Sequence, residues 1–129
     1  MRKPLSITKL KKKLDNVFSQ YIRQKYANHA GDVRCYTCGY TDHWKKLQNG
    51  HLVSRYYLNT RFDERNCRPQ CYTCNMFRNG MIPDFSQRLE IELGEGITKE
   101  LYKEANKIVK WSENDYKTKI EYYKKLIHE

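Results

Sequence analysis

Two Cys-x-x-Cys pairs constrain this chain more than any other feature of its sequence. They are Cys35–Cys38, followed directly by Gly39, and Cys71–Cys74. Two residues between thiolates let both sulfurs turn toward one ion, and two such pairs complete a tetrahedral zinc shell with Zn–S distances of about 2.3 Å. The sequence therefore predicts a zinc ion with cysteine at all four positions. Such an ion is structural, because it has no open position for a substrate.

The fifth cysteine, Cys67, lies outside this pattern. It is one helical turn before Cys71 and could replace a ligand, but a buried thiol is the favoured interpretation. A redox pair is the competing interpretation of Cys-x-x-Cys, and the presence of two such pairs argues against it. No secretory signal and no membrane span is visible, so we expect a cytoplasmic protein with reduced thiols and no membrane partner.

The charge distribution indicates a polyanionic partner. The chain has 25 Lys and Arg against 15 Asp and Glu, a net charge of +10. Residues 1–30 carry eight basic residues and one acidic residue, residues 31–90 carry nine and six, and residues 91–129 carry eight of each. A basic excess confined to the first two segments is typical of nucleic-acid binding. A basic domain without a special partner is the alternative.

The hydrophobic pattern predicts an α+β protein in one compact domain with three segments, residues 1–30, 31–90 and 91–129. A helix is expected over 6–27, with Ser6 as its N-cap and four outward-facing lysines as candidate phosphate contacts. Strands are expected at 33–37 and 49–56, followed by a helix over about 71–79 that Gly80 ends. Further helices are expected over 97–107 and 112–127, with Thr98 and Ser112 as N-caps. The four candidate lysines on the predicted helix over 6–27 are Lys9, Lys11, Lys12 and Lys13.

Four polar residues lie in or beside the segment between the cysteine pairs, namely His51, Arg55, Asn66 and Asn75. A neutral imidazole can take a proton from water, an amide oxygen suits Mg²⁺, and arginine can counter charge on phosphorus. His51 follows Asn49-Gly50, a strong hairpin signal. We therefore expect a tight turn or bulge to present His51, with Gly50 leaving room for substrate. A structural histidine, a helix-capping Asn75 and a surface Arg55 are the alternatives.

Three stretches, "NGHLVSR", "RFDERNCRPQC" and "CYTCNMFRNG", resemble the NinG recombination proteins of lambdoid phages. The resemblance spans about residues 6–127 and is strongest over 33–83. It implies membership of the His-Me finger (HNH, endonuclease VII-like) nucleases. The implied fold is a zinc-framed ββα-metal core with a flanking N-terminal helix and C-terminal helices. The implied location is the cytoplasm of a bacterial host.

The resemblance also implies an activity, cleavage of branched DNA such as Holliday junctions and D-loops. By its pattern His51 matches the general base, and Asn75 matches the ligand of a catalytic Mg²⁺ or Mn²⁺. Asn66 matches the residue that ties down the histidine loop, while Arg55 and Arg78 match phosphate contacts. Because symmetric junction cleavage needs two active sites, a homodimer is expected.

One departure from the pattern concerns a second metal contact. Many HNH enzymes have an acidic residue or histidine directly before the general base, and this chain has Gly50 there and Gln48 two residues earlier. Three alternative functions remain open at this stage. They are a non-catalytic zinc-stabilised nucleic-acid binder, a general HNH nuclease without junction preference, and an interaction protein of a phage replication complex.

Overall fold

The first helix lies where its sequence pattern predicts it, with the predicted cap, and ends two residues earlier than expected. The computed structural model describes residues 6–128, so the first five residues of the predicted N-terminal segment lie outside it. Helix α1 is Ile7–Lys25, and the Ser6 hydroxyl accepts a hydrogen bond from the Lys9 amide at 3.2 Å. One face of α1 is buried, because its apolar residues recur at spacings of about one turn. Those buried residues are Leu10, Leu14, Phe18 and Ile22.

Two small antiparallel sheets make up the strand content of the described residues. Strand β1 (Asp32–Arg34) pairs with β2 (Thr41–His43), and β3 (Gln48–His51) pairs with β4 (Cys67–Gln70). The first two predicted strands are therefore shorter than expected, since β1 stops where the first cysteine pair begins and β3 stops at the histidine. The sequence pattern did not reveal β2 and β4.

The prediction of a tight turn or bulge at Asn49-Gly50 is wrong. Both residues lie inside β3, opposite Pro69 and Arg68 of β4, and the positive φ values of the described residues fall elsewhere. A Cβ atom at Gly50 would lie 1.9 Å from Oε1 of Gln70. Gly50 is therefore required by packing within the sheet, and not by the approach of a substrate.

The segment after the second cysteine pair also differs from the expected helix over 71–79. A single π-helical turn spans Thr73–Phe77, and the backbone then leaves helical geometry at Gly80, with φ of 82°. Helix α3 (Ile82–Leu93) begins directly afterwards, with proline in its first turn. The π-helical turn ends at Phe77 with Arg78 as its C-cap, so the predicted stop at Gly80 comes three residues after the observed end, and α3 itself was not predicted.

The remaining helices are α2 (Leu58–Arg61), α4 (Ile97–Ala105) and α5 (Glu113–Lys124). Ser112 is the N-cap of α5, as predicted. It forms a reciprocal capping box with Asp115. The N-cap of α4 is Gly96 and not the predicted Thr98.

Within residues 6–128 the buried apolar side chains form three clusters. The first joins α1 to α5 and includes Phe62 and Cys67, and the second joins α3 and α4 to Leu52 and Val53. The third surrounds the cysteine pairs. Ile108 lies between α4 and α5 and is fully exposed. No helix in the described part of the chain has the length and apolar character needed to cross a membrane.

Candidate metal centre and active-site cleft

The four cysteines of the two pairs converge. Their sulfur atoms all lie within 4.8 Å of one another, and those of Cys38 and Cys71 are 3.6 Å apart. Sulfur atoms about 2.3 Å from a tetrahedral zinc ion are separated by roughly 3.8 Å. The amide of Cys74 donates to the Cys71 sulfur at 3.4 Å, and the amide of Tyr40 donates to the Cys38 sulfur at 3.5 Å. The cluster therefore fits a structural zinc ion.

Local hydrogen bonding favours the thiolate at Cys35, whereas burial raises the pKa of Cys71 and brings that of Cys74 to about 12. Burial raises the pKa of Cys35, but hydrogen bonds from backbone amides and from Thr37 outweigh it and bring the pKa to about 6. Complete burial also raises the pKa of Cys67, to well above the ordinary value. Its sulfur lies 3.8 Å from the Arg61 carbonyl and outside the cysteine cluster. The favoured interpretation of Cys67 as a buried thiol is confirmed.

An open cleft of about 850 Å³ lies beside the cysteine cluster. Three of the predicted site residues, His51, Arg55 and Asn75, line it together. Helix α1 also contributes polar side chains to its lining, which the sequence pattern did not indicate. These are Asp15, Asn16, Ser19 and Arg23.

His51 is held in one orientation at the end of β3. Its Nε2 atom lies 2.9 Å from the main-chain oxygen of Arg61. A carbonyl oxygen can only accept, so Nε2 carries the proton and Nδ1 keeps a lone pair in the neutral ring. Burial lowers the pKa of His51 most strongly. The bond to Arg61 and the charge of Asp15 oppose that shift, while the charges of Arg61 and Arg55 add to it. The imidazole is therefore neutral near pH 7.

Arg61 is itself fixed by a two-pronged ion pair with Asp15 of α1. Its Nε donates to one carboxylate oxygen at 2.9 Å, and its Nη2 donates to the other at 2.5 Å. Its Nη1 donates to the main-chain oxygen of Arg55 at 2.9 Å. Helix α1 thus positions the residue that orients His51. One sequence feature could have indicated this role of Asp15: it is the single acidic residue among residues 1–30.

Asn75 follows the last cysteine and lies in the π-helical turn. Its Nδ2 donates to Oε1 of Gln48 at 2.7 Å, and its main-chain amide donates to the Cys71 carbonyl at 3.0 Å. The first of these bonds uses the amide nitrogen and leaves the Oδ1 atom for another partner. Gln48, the residue at which the sequence departs from the expected pattern, therefore orients the Asn75 carboxamide.

Asn66 lies outside the cleft and is completely buried. Its Oδ1 accepts from the Val53 amide at 2.8 Å, and its Nδ2 donates to the carbonyls of Val53 and Thr60 at 3.0 and 3.1 Å. These bonds hold the loop that follows His51. This is the kind of contact that the family resemblance implies for Asn66.

The other predicted DNA contacts are not part of the cleft lining, although Arg78 adjoins Asn79, which is part of it. Arg78 is exposed directly after the π-helical turn. The four lysines near the start of α1 lie on its surface, and neither they nor Arg78 belong to the cleft lining. Their role in binding stays a prediction.

Fold and site together define a class, an α+β protein in which a four-cysteine cluster suited to zinc supports a polar cleft. The chain belongs to the NinG family. The family model described as "Bacteriophage Lambda NinG protein" matches residues 2–129. This membership confirms the resemblance to NinG and suggests a protein related to phage recombination. None of the curated proteins matches the chain significantly, and none of the solved structures does.

Proposed function

We propose that this chain is a metal-dependent DNA endonuclease of the His-Me finger (HNH) type that cleaves branched recombination intermediates. The observation that carries the proposal is the meeting of His51 and Asn75 in one cleft. One offers a lone pair and the other an amide oxygen, and the cysteine cluster holds the segment that bears Asn75. The family membership supports a role in phage recombination.

His51 is assigned as the general base. Its Nδ1 takes a proton from a water molecule that attacks a phosphodiester, and Nε2 stays bonded to the Arg61 carbonyl throughout. That bond stabilises the imidazolium formed in the step, because a carbonyl accepts more strongly from a cation. The lowered pKa keeps His51 unprotonated and ready at neutral pH.

The cleft offers an amide oxygen that fits a hard divalent cation. Asn75 Oδ1 is the assigned ligand, because its carboxamide nitrogen is bonded to Gln48. Amide oxygens suit Mg²⁺ or Mn²⁺, which would retain several waters beside one protein ligand. Bound there, the ion would stabilise charge on the phosphate and on the leaving oxygen. The Asp15 carboxylate is not assigned as a ligand, since both its oxygens bind Arg61.

Arg55 is assigned to a phosphate oxygen, because it lines the cleft beside His51. The net charge of +10 draws a polyanion toward the whole molecule. Symmetric cleavage of a four-way junction would require two such clefts, so a homodimer is part of the proposal.

The test is cleavage of a labelled four-way junction and a sequence-matched linear duplex with Mg²⁺. The expected result is cleavage of the junction alone, lost in Asn75→Ala and restored in part by more metal. Cleavage of both DNAs would indicate a general HNH nuclease. Binding of both without any cleavage, with zinc content intact, would overturn the proposal in favour of a zinc-stabilised DNA-binding module.

A further inference from the structure

Two aromatic side chains beside the cleft are unusually exposed. Tyr56 is 83% exposed and lies between Arg55 and Tyr57, both of which line the cleft. Phe77 is 73% exposed and follows Met76, another lining residue. Each exposed ring leaves a large apolar area in contact with water. Covering that area with a bound partner would be favourable. Both rings adjoin residues that line the cleft and are available to stack on a bound ligand.

Each of these rings has an arginine next to it in the chain. Arg55 precedes Tyr56, and Arg78 follows Phe77. Within residues 6–128 neither arginine takes part in an ion pair, whereas Arg61, Arg65 and Arg68 all do. Both guanidinium groups are therefore free to contact an external anion. The same pairing of cation and ring occurs in two separate segments that border one cleft.

The chemistry of this pairing points to unpaired nucleotides. Aromatic faces stack on bases, and arginine contacts the phosphates between them. A base inside a duplex has both faces covered by its neighbours, so only an unpaired or splayed base can stack on a protein ring. Other exposed apolar residues, such as Ile91 and Ile108, are aliphatic and adjoin no residue of the cleft lining.

We propose that Tyr56 and Phe77 form a stacking subsite for unpaired bases, with Arg55 and Arg78 holding the adjoining phosphates. This inference rests on the proposed function, because that function places DNA in the cleft. It gives the preference for branched DNA a physical basis. A branch point exposes bases that a linear duplex hides, and only those bases reach the two rings.

The test uses two fluorescent DNAs, a linear duplex and the same duplex with a short single-stranded gap that contains 2-aminopurine. Binding is measured by anisotropy in buffer without added Mg²⁺ or Mn²⁺, so that cleavage does not intervene. Stacking is measured by quenching of 2-aminopurine. The variants are Tyr56→Ala and Phe77→Ala, with Tyr56→Phe and Phe77→Tyr as ring-retaining partners. Tyr122→Ala, which removes an exposed ring on α5, is the matched control.

Each alanine variant is expected to weaken binding of the gapped DNA by about fivefold or more and to reduce quenching. Duplex binding should stay nearly unchanged, and the ring-retaining variants and the control should behave as wild type. Equal loss on both DNAs, or no loss on either, would overturn the stacking subsite even if the protein cleaves junctions. Selective loss and quenching in this assay, together with no cleavage in the separate junction assay with Mg²⁺, would overturn the nuclease proposal alone.

Discussion

His51 and Arg61 are joined by a hydrogen bond of 2.9 Å between Nε2 of the ring and the main-chain oxygen of the arginine. The side chain of the same arginine binds Asp15 on α1. One residue therefore links the N-terminal helix to the imidazole at the end of β3. The contact sets the tautomer of His51 and leaves its Nδ1 atom as the proton acceptor.

Replacing His51 by alanine is expected to reduce junction cleavage by about 10²–10⁴-fold, because the step would lose its general base. DNA binding and zinc content should not change, since neither depends on the imidazole. Rates from single-turnover assays and zinc from mass spectrometry check both points. His29→Ala, which removes an exposed histidine, should cleave normally. Undiminished cleavage by His51→Ala would remove His51 from the mechanism.

The pH dependence of cleavage should report the neutral form of His51. Protonation blocks a base, so the rate falls as the pH falls through its pKa. Because burial holds the pKa of His51 below the ordinary value, the acid limb should lie below about pH 6.5. A rate profile over the acid range measures this. An acid limb above neutral pH would contradict the assignment.

Asp15→Asn is expected to lower the cleavage rate on the order of tenfold, because Arg61 loses its charged anchor and its backbone is held less firmly. The acid limb should also move to lower pH. The Asp15 carboxylate favours the protonated imidazole, so its removal lowers the pKa of His51 further. Asp84→Asn, at an exposed position of α3, is the matched control. A purely structural role for Asp15 would reduce the rate without moving the pH limb.

Zinc should bind through four of the five cysteines. Cys74→Ser is expected to lose the ion and to unfold at much lower urea concentration, because the binding free energy of structural zinc, about 10–16 kcal/mol in zinc-finger peptides, stabilises the folded state. Cys67→Ala should keep one zinc ion per chain, since its sulfur lies outside the cluster. Zinc stoichiometry and urea midpoints measure both variants. Loss of zinc from Cys67→Ala, with zinc retained in Cys74→Ser, would contradict the ligand assignment.

Gly50→Ala is expected to destabilise the protein by about 1–3 kcal/mol, because the added Cβ would overlap the Gln70 carboxamide. Within residues 6–128 the Oε1 atom of Gln70 has no hydrogen-bond partner, while its Nε2 donates to Thr37 and to the Gly80 carbonyl. In a Gln70→Ala background the same glycine change should cost less. A double-mutant cycle from urea unfolding measures the difference. Equal costs in both backgrounds would show that Gln70 is not what excludes a side chain at Gly50.

The local parts of the fold were predictable. Helix α1 and its Ser6 cap, and α5 and its Ser112 cap, follow from spacing within a few residues, and the repeated Cys-x-x-Cys motif indicated the four-cysteine cluster. Strand β4 was missed because its residues, which include Arg68, Pro69 and Gln70, show no alternation of polar and apolar positions and are all buried. Helix α3 was missed because Gly80 and Pro83 are residues typical of the end of a helix, although Pro83 lies in the first turn of α3, where proline is tolerated.

The sequence by itself determined the residue types of the candidate site and the spacing within each Cys-x-x-Cys pair, because that spacing is a local property of the chain. The meeting of the two pairs, with Cys38 and Cys71 33 positions apart, belongs to the tertiary structure. The tertiary structure decided which partners those residues meet. Asp15 lies 46 positions from Arg61, and Asn75 lies 27 positions from Gln48. Contacts at such separations depend on how helices and sheets pack. No periodicity or motif encodes them, and the same packing explains why Gly50 has to be glycine.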